Sequence, residues 1–506
     1  MGKLIDELES VQRRLEALAR AHQVPGASLA ILEGDLVLEF VTGVTNVRTG
    51  VEVTPEALFQ IGSNTKLYTT TLVMQLVDDG LVDLDEPVRT YLSDFKVADS
   101  DASSTITVRH LLTHTSGIQG DHFQDFGRGD DSLAAYAASL AELTQVAAPG
   151  ALFSYCNSGF TLAGYLVERL RGKPYHEVLR ERILAPLGCE STTVLAEEML
   201  AYRYSVGHVG GPGGPVVSPT VLMARASAPA GSVTSATAKD VLRFVTMHLD
   251  GGRAPDGTQV LDTASVAAMQ TATQPIPGPV LGRHVGLGWL LDEWSGERVI
   301  GHGGGTVGQL SFLHALPDSR FAVCLLTNSM TGGALWRDLG RWLFSELAGV
   351  TIPEPPRPSG PAPQLDLRRY AGRYERLGVT TDIVVGDGGL DRTMTPTGPM
   401  AAMGMPPQMS HLTAIDAETF YTKGPAGEAV VSFIEFDKTG RPGFIFDGRA
   451  TPRTGPAKSP AKSPAKSPAK SPAKSPAKGT AKAPAKTTAK ARVAKSGGRG
   501  STARKG

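Results

Sequence analysis

Phe59-Gln60-Ile61-Gly62-Ser63-Asn64-Thr65-Lys66 is the stretch on which the reading turns. Beyond it Leu67, Leu72, Val73, Leu76 and Val77 continue a helical pattern that stops at Gly80, so the motif lies where a loop enters a long helix. If Ser63 opens that helix, Lys66 lies one turn on, on the same face and within reach of the hydroxyl. Serine attacks a carbonyl only once a base has taken its proton, and a helix N-terminus favours the negative charge that develops. Lys66 can be that base only when neutral. Its ordinary pKa of ~10.4 makes neutrality at pH 7 cost roughly 4–5 kcal/mol, which burial has to impose. A helix-capping serine followed by a solvated lysine has the same spelling, so the octapeptide needs company.

Two later stretches provide it. Phe153-Ser154-Tyr155-Cys156-Asn157-Ser158-Gly159 offers a phenol and an amide two residues apart, on one side of the chain if the segment is extended. Arg298-Val299-Ile300-Gly301-His302-Gly303-Gly304-Gly305 reads as a strand ending in glycines, against whose backbone a substrate can lie.

Ser63-x-x-Lys66, then Tyr155-x-Asn157, then His302-Gly303-Gly304 resembles, in order and separation, the penicillin-recognising serine hydrolases. The branch it is most similar to contains class C β-lactamases, DD-carboxypeptidases and related esterases. Leu111-Leu112-Thr113-His114-Thr115-Ser116-Gly117, Pro186-Leu187-Gly188 and Pro229-Ala230-Gly231-Ser232 extend the likeness over roughly residues 10–350. The resemblance implies an acyl-enzyme on Ser63, with Lys66 and Tyr155 moving the serine proton to the leaving group and Tyr155 helping to activate the hydrolytic water. It implies that Asn157 bonds a substrate amide, that His302, Gly303 and Gly304 line the substrate strand, and that the N–H groups of Ser63 and Gly305 form the oxyanion hole. Two residues depart from the usual pattern. Cys156 stands where small residues are common and is expected to be a packed thiol facing away from the site. His302 stands where penicillin-binding members often carry lysine; a partly charged imidazole would hold a substrate carboxylate weakly and with pH dependence. The departure shifts the expected activity toward an esterase or D-amino-acid peptidase and away from a dedicated β-lactamase.

Working outward, Gly26–Leu32 and Leu36–Thr42 form a strand pair split by the turn Glu33-Gly34-Asp35. Val285–Leu291, Arg298–His302, Gln309–Leu316 and Ala322–Thr327 are short β-type runs, and Trp336–Leu347 has a helical pattern. Residues 85–200 are mainly helical and 205–231 read as a long irregular loop. Strands at both ends with helices between predict one α+β unit over residues 1–350 whose terminal segments share an antiparallel sheet. Proline-rich Ile352–Pro363 lies in a stiff linker, 351–365. Strand-like runs Thr381–Val385, Ala429–Phe436 and Gly443–Asp447 predict a small β-barrel over 366–450. Its opening, Tyr370-Ala371-Gly372-Arg373-Tyr374-Glu375, resembles lipocalin-like domains that follow some members of the family.

Charge is segregated along the chain. Of 50 basic and 50 acidic residues, 15 basic and no acidic ones lie in 451–506, which leaves 35 basic against 50 acidic in 1–450. The tail repeats Pro-Ala-Lys-Ser, has nothing with which to build a core, and is expected to be disordered. In composition it resembles linker-histone arms. Spaced lysines without aromatics neutralise phosphates but read no bases, so the tail either binds an anionic polymer such as nucleic acid non-specifically, solubilises the protein, or contacts its own acidic body. A non-catalytic scaffold acting through this tail is the rival to a hydrolase.

Other signals exclude more than they assign. No apolar run approaches the ~18–20 residues of a membrane span, and the charged N-terminus lacks a secretory core, so a cytoplasmic protein is expected. Cys156, Cys189 and Cys324 are too few and too scattered for a disulfide framework or metal cluster. His110 and His114 read as structural caps. Gly303-x-Gly305-x-x-Gly308 is followed by a strand and not a helix, so it is no dinucleotide site. His302-Gly-Gly-Gly lacks the Gly-x-Ser-x-Gly that would make it an α/β-hydrolase oxyanion segment. No metal or cofactor is expected; the partner is a small-molecule or peptide substrate.

Overall fold

Gly26–Glu33 (β1) is apolar on both faces because both are covered. Leu29 and Ile31 point to one cluster with Val11 and Leu15 of α1 (Leu8–Ala21), while Ala30 and Leu32 point to another with Leu72 of α2 (Thr65–Asp78). The computed structural model describes residues 3–457 except 212, 362, 399–400, 402–405 and 425–426. The Pro-Ala-Lys-Ser repeats of the tail lie outside the described residues.

β1 is central in a nine-stranded antiparallel sheet. Its other members are β2 (Leu36–Asn46), β3 (Val51–Glu52), β4 (Gln274–Pro275), β5 (His284–Val285), β6 (Leu290–Trp294), β7 (Glu297–Thr306), β8 (Gln309–Leu316) and β9 (Phe321–Thr327). The order β3-β2-β1-β9-β8-β7-β6-β5-β4 puts the first hairpin against the last strand, so the two ends of the domain share the sheet as expected. α1 and a later helix, α5 (Gly332–Leu343), cover one face. The other face meets α2, α3 (Asn157–Arg171) and α4 (Ala238–Leu249), which belong to the main core. α2 is buried from Thr65 to Leu76 and is the helix around which that core is built.

Two local expectations are corrected. The run Val285–Leu291 is two strands, because Gly288 turns the chain at a positive φ of 77° between β5 and β6. Residues 205–231 are less irregular than their glycines suggest: His208–Gly211 and Gly214–Val217 pair as a hairpin, and a 3₁₀ turn spans Arg225–Ala230.

The chain from 372 forms a closed eight-stranded barrel. Its strands are β10 (Gly372–Arg376), β11 (Val379–Val385), β12 (Leu390–Pro396), β13 (Gln408–Ala414), β14 (Thr419–Gly424), β15 (Gly427–Phe436), β16 (Pro442–Phe446) and β17 (Ala450–Gly455). Pairing of Tyr374 with Arg453 closes it, so the barrel runs five residues beyond the boundary expected at 450; without β17 it would have two open edges. Tyr370, Tyr374, Phe420 and Phe433 fill its interior. Phe446 and Ala450 at one end join Phe153, Tyr155 and Val285 in a cluster of their own, which docks the barrel beside the Tyr155-x-Asn157 stretch. Among the described residues no helix is long and apolar enough to cross a membrane.

Candidate active site

Gly62–Asn64 is a single 3₁₀ turn that runs directly into α2. Ser63 keeps partial access to the cleft while its neighbours Gly62 and Asn64 are buried. Lys66 is completely buried, and its Nζ donates to Ser63 Oγ at 2.9 Å and to the Ala230 carbonyl at 2.6 Å. Desolvation, then the positive charge of Arg449, hold the amine well below its ordinary pKa. Burial in the core around α2 shifts this lysine in the direction that the sequence reading requires.

The third motif presses against the first. Gly62 has a φ of +52°, and a Cβ there would lie 2.5 Å from the Gly305 nitrogen. A Cβ on Gly304 would come within 2.0 Å of the Ile61 carbonyl. Both positions therefore need glycine for β7 to approach the nucleophile turn. Ser311 Oγ ties the layers together, donating to Ile61 O at 2.7 Å and accepting from Asn64 Nδ2 at 2.8 Å.

Ser63, Tyr155, Asn157, His302, Gly303, Gly304 and Gly305 line one cleft of about 390 Å³. The Lys66 amine lies 5.0 Å from the Tyr155 ring centre, and Tyr155 lines the same cleft as Ser63. Burial raises the Tyr155 pKa strongly, so it is a phenol, not a phenolate, in the resting enzyme. His114 stacks on that ring at 4.2 Å and accepts from the Cys156 N–H at 2.9 Å through Nδ1, while His110 caps the short helix Val108–Leu112; both are structural. Asn157 is not on an extended segment: Cys156 caps α3, and Asn157 is the first residue of the helix. The Cys156 sulfur packs inward against Ile118 O and the Gly159 N–H, and burial raises its pKa, so it is no nucleophile.

His302 differs from its expected state. It is 2% exposed, and burial, seconded by Lys66, pushes its pKa down to about 3. Nδ1 sits 2.5 Å from the Gly303 carbonyl, which assigns its proton there and leaves Nε2 as the acceptor facing the Tyr155 hydroxyl at 3.5 Å. A neutral imidazole cannot grip a carboxylate by charge. Across pH 5–8, ¹⁵N NMR of labelled histidine is expected to show His302 neutral throughout; titration near 6.5 would contradict its burial.

The cation comes from an unexpected source. The turn Asp447-Gly448-Arg449 of the barrel enters the cleft, fixed by the Tyr155 N–H donating to Gly448 O at 3.1 Å and the Ala450 N–H donating to Ser154 Oγ at 3.1 Å. The Arg449 guanidinium lies 5.1 Å over the Tyr155 ring. Burial opposes its charge, but Asp121, 2.6 Å from Nε, more than compensates. Asp121 also accepts from Arg376 at 2.8 Å and from Asn157 Nδ2 at 3.0 Å, with only 6% of its side chain exposed. Burial raises the Asp121 pKa, yet the two arginines outweigh it and hold the carboxyl below its ordinary value. Neither Asp121 nor Arg449 belongs to a motif. The sequence signal was confined to Asp447-Gly448, which announces a turn but not what the turn reaches.

Among the described residues no cluster of His, Cys, Asp or Glu could hold a metal ion. The family model described as Beta-lactamase matches residues 11–348. Penicillin-binding protein 4 of Amycolatopsis lactamdurans is 42% identical over 375 residues, 72% of this chain and 97% of that protein. SurE, also solved with D-Leu, has a TM-score of 0.73 at 28% identity, covering 90% of this chain and 100% of that one. The D-amino acid amidase of Ochrobactrum anthropi SV3, solved with L-phenylalanine amide, has a TM-score of 0.57 at 25% identity, covering 67% of this chain and 99% of that one.

Proposed function

Because this chain belongs to the beta-lactamase family, we propose that it is an acyl-serine hydrolase cleaving an amide or ester, a D-amino-acid peptide or amide before a β-lactam. The observation that carries the proposal is the fully buried Lys66 amine 2.9 Å from Ser63 Oγ, its pKa held well below the ordinary lysine value, beside a cleft lined by Ser63, Tyr155 and Asn157. Lys66 takes the Ser63 proton as Oγ attacks the carbonyl carbon. The oxyanion is received by the N–H groups of Ser63 and Gly305, each such donor being worth about 3–4 kcal/mol. The proton passes through Tyr155 to the leaving group, whose bond to the acyl carbon breaks. Water then attacks the acyl-Ser63 carbon, giving a proton to Tyr155 and returning the Oγ proton.

Asn157 bonds the amide of the acyl part. With His302 neutral, Arg449 is the charge that a leaving-group carboxylate meets, which favours release of a terminal amino acid. Two structural relatives, SurE solved with D-Leu and a D-amino acid amidase, support the same class. The lipocalin-like barrel then serves the site directly by carrying Arg449.

A turnover panel of short esters, D-amino-acid amides and a chromogenic β-lactam, run beside Ser63→Ala and with a covalent serine probe, tests the proposal. Turnover of amides or esters above the lactam, with labelling confined to Ser63, is expected. An unlabelled Ser63 would leave a scaffold in place of an enzyme.

A further inference from the structure

Beside the catalytic cleft lies a second cavity of about 680 Å³. Its walls are mostly apolar: Phe123, Leu143, Leu222, Met223 and Val307 from the catalytic domain, with Leu377 from the barrel. Phe123 and Met223 line both spaces, and Val307 is two residues beyond Gly305, so the cavity continues the cleft. Phe123, Leu222 and Met223 are only half-buried, which leaves apolar surface unfilled in a concave site. The two lining arginines are already paired, Arg128 with Glu197 at 3.4 Å and Arg225 with Asp130 at 2.5 Å, so neither offers a free positive charge to an anionic group.

We propose that this cavity is a substrate subsite for an extended acyl chain, and that the natural substrate is a peptide with several apolar residues on the acyl side of the scissile bond. The inference rests on the acyl-serine reading above and deepens it. Direction follows from chemistry. Arg449 stands over Tyr155, the group that serves the leaving amine, so the leaving side of the substrate occupies that end. Asn157 grasps the acyl amide, and the strand that supplies Gly305 to the cleft leads two residues on to Val307 in the second cavity's wall. The acyl chain therefore runs past Asn157, between Phe123 and Met223, and into the larger space. The 390 Å³ cleft accommodates a single amino-acid amide, whereas the cavity beyond it has the volume of a drug-sized ligand of its own. Its covering by Leu377 makes the barrel a wall of this subsite as well as the carrier of Arg449.

The test is a series of N-acetylated peptides with a common D-alanine terminus and from one to three apolar residues on the acyl side, used with the full chain. kcat/KM is expected to rise at least about 100-fold along the series, the effect of burying two further apolar side chains. Leu222→Trp and, separately, Thr220→Trp fill the cavity from an irregular segment outside the catalytic motifs. Each is expected to cut the ratio of kcat/KM for the longest over the shortest peptide about tenfold. Binding of the same peptides to Ser63→Ala, followed by calorimetry, reads the subsite without turnover and is expected to tighten with length. A series without length dependence, or a ratio untouched by both tryptophans, overturns the subsite while short-substrate turnover leaves the acyl-serine reading intact. Absent Ser63 labelling with length-dependent binding sinks that reading and keeps the subsite.

Discussion

Lys66→Met is expected to lower kcat by about 10⁴-fold, the upper range for a general base, while leaving the fold at least as stable as that of the wild type. The two halves of this result have one cause. Lys66 has no exposed surface, and its amine has only Ser63 Oγ and the Ala230 carbonyl to bond. Methionine is one atom shorter and fills most of the same space in α2 without an amine that has to shed its proton. Because the folded-state pKa of Lys66 lies below its unfolded value near 10.4, the unfolded chain binds more protons between the two values. The lysine therefore weakens the fold at neutral pH, and this penalty fades as pH rises toward the unfolded pKa. Methionine removes the penalty, so denaturation midpoints for wild type and variant should converge toward pH 10. A variant that loses stability at pH 7 would mean that the lysine is a structural hydrogen-bonding group and not a base held neutral by the core. Activity should show the matching sign in the wild type, with kcat/KM rising with pH as the ammonium form of Lys66 is titrated away.

What the sequence disclosed and what it hid divide along one line: whether a residue's role depends on its own segment or on another's. Ser63 and Lys66 share a helical turn, Tyr155 and Asn157 are two residues apart, and His302 to Gly305 is one strand, so local spacing exposed all three motifs. The shared sheet was equally legible, since its hairpin and its last strands are continuous apolar runs. The ionisation of His302 was not, because 2% exposure is a property of the assembled core and not of the tetrapeptide. The α3 start at Asn157 was masked by a cysteine in the capping position, where serine or aspartate would have signalled it. Asp121 and Arg449 are 328 residues apart and meet only when the barrel docks. No periodicity records that contact, so local spacing pointed to His302 and not to Arg449.

That hidden contact leads to the second large effect. Asp121→Asn is expected to destabilise the protein by about 3 kcal/mol, the lower end of what breaking a buried ion pair costs, and to reduce discrimination among substrates more than it reduces kcat. The asparagine keeps the shape of the carboxylate and can still accept from Asn157, but it removes the one carboxylate that bonds both Arg449 and Arg376, whose side chains are 28% and 12% exposed, and leaves Asp447 as their neighbouring negative charge. Two guanidiniums without the carboxylate between them repel, and the cheapest relief is withdrawal of the 447–449 turn from the cleft. Withdrawal removes the cation proposed to meet a leaving-group carboxylate, while Asn157 keeps an acceptor at position 121. The preference of the wild type for peptides with a free terminal carboxylate over the matching amides should therefore shrink, mainly through KM. Arg449→Met should shrink the same preference, and the double variant should add little to either, because both act through one contact. The stability term has its own signature. A carboxyl whose folded pKa is depressed strengthens the fold above its unfolded pKa near 3.9 and loses that contribution as pH falls through the folded value. The gap between wild type and Asp121→Asn should then be full at pH 7 and narrow below about pH 4. A gap that persists unchanged into acid, or two single variants whose effects on carboxylate preference simply add, would detach Asp121 from Arg449 and return the barrel to a passive neighbour of the catalytic domain.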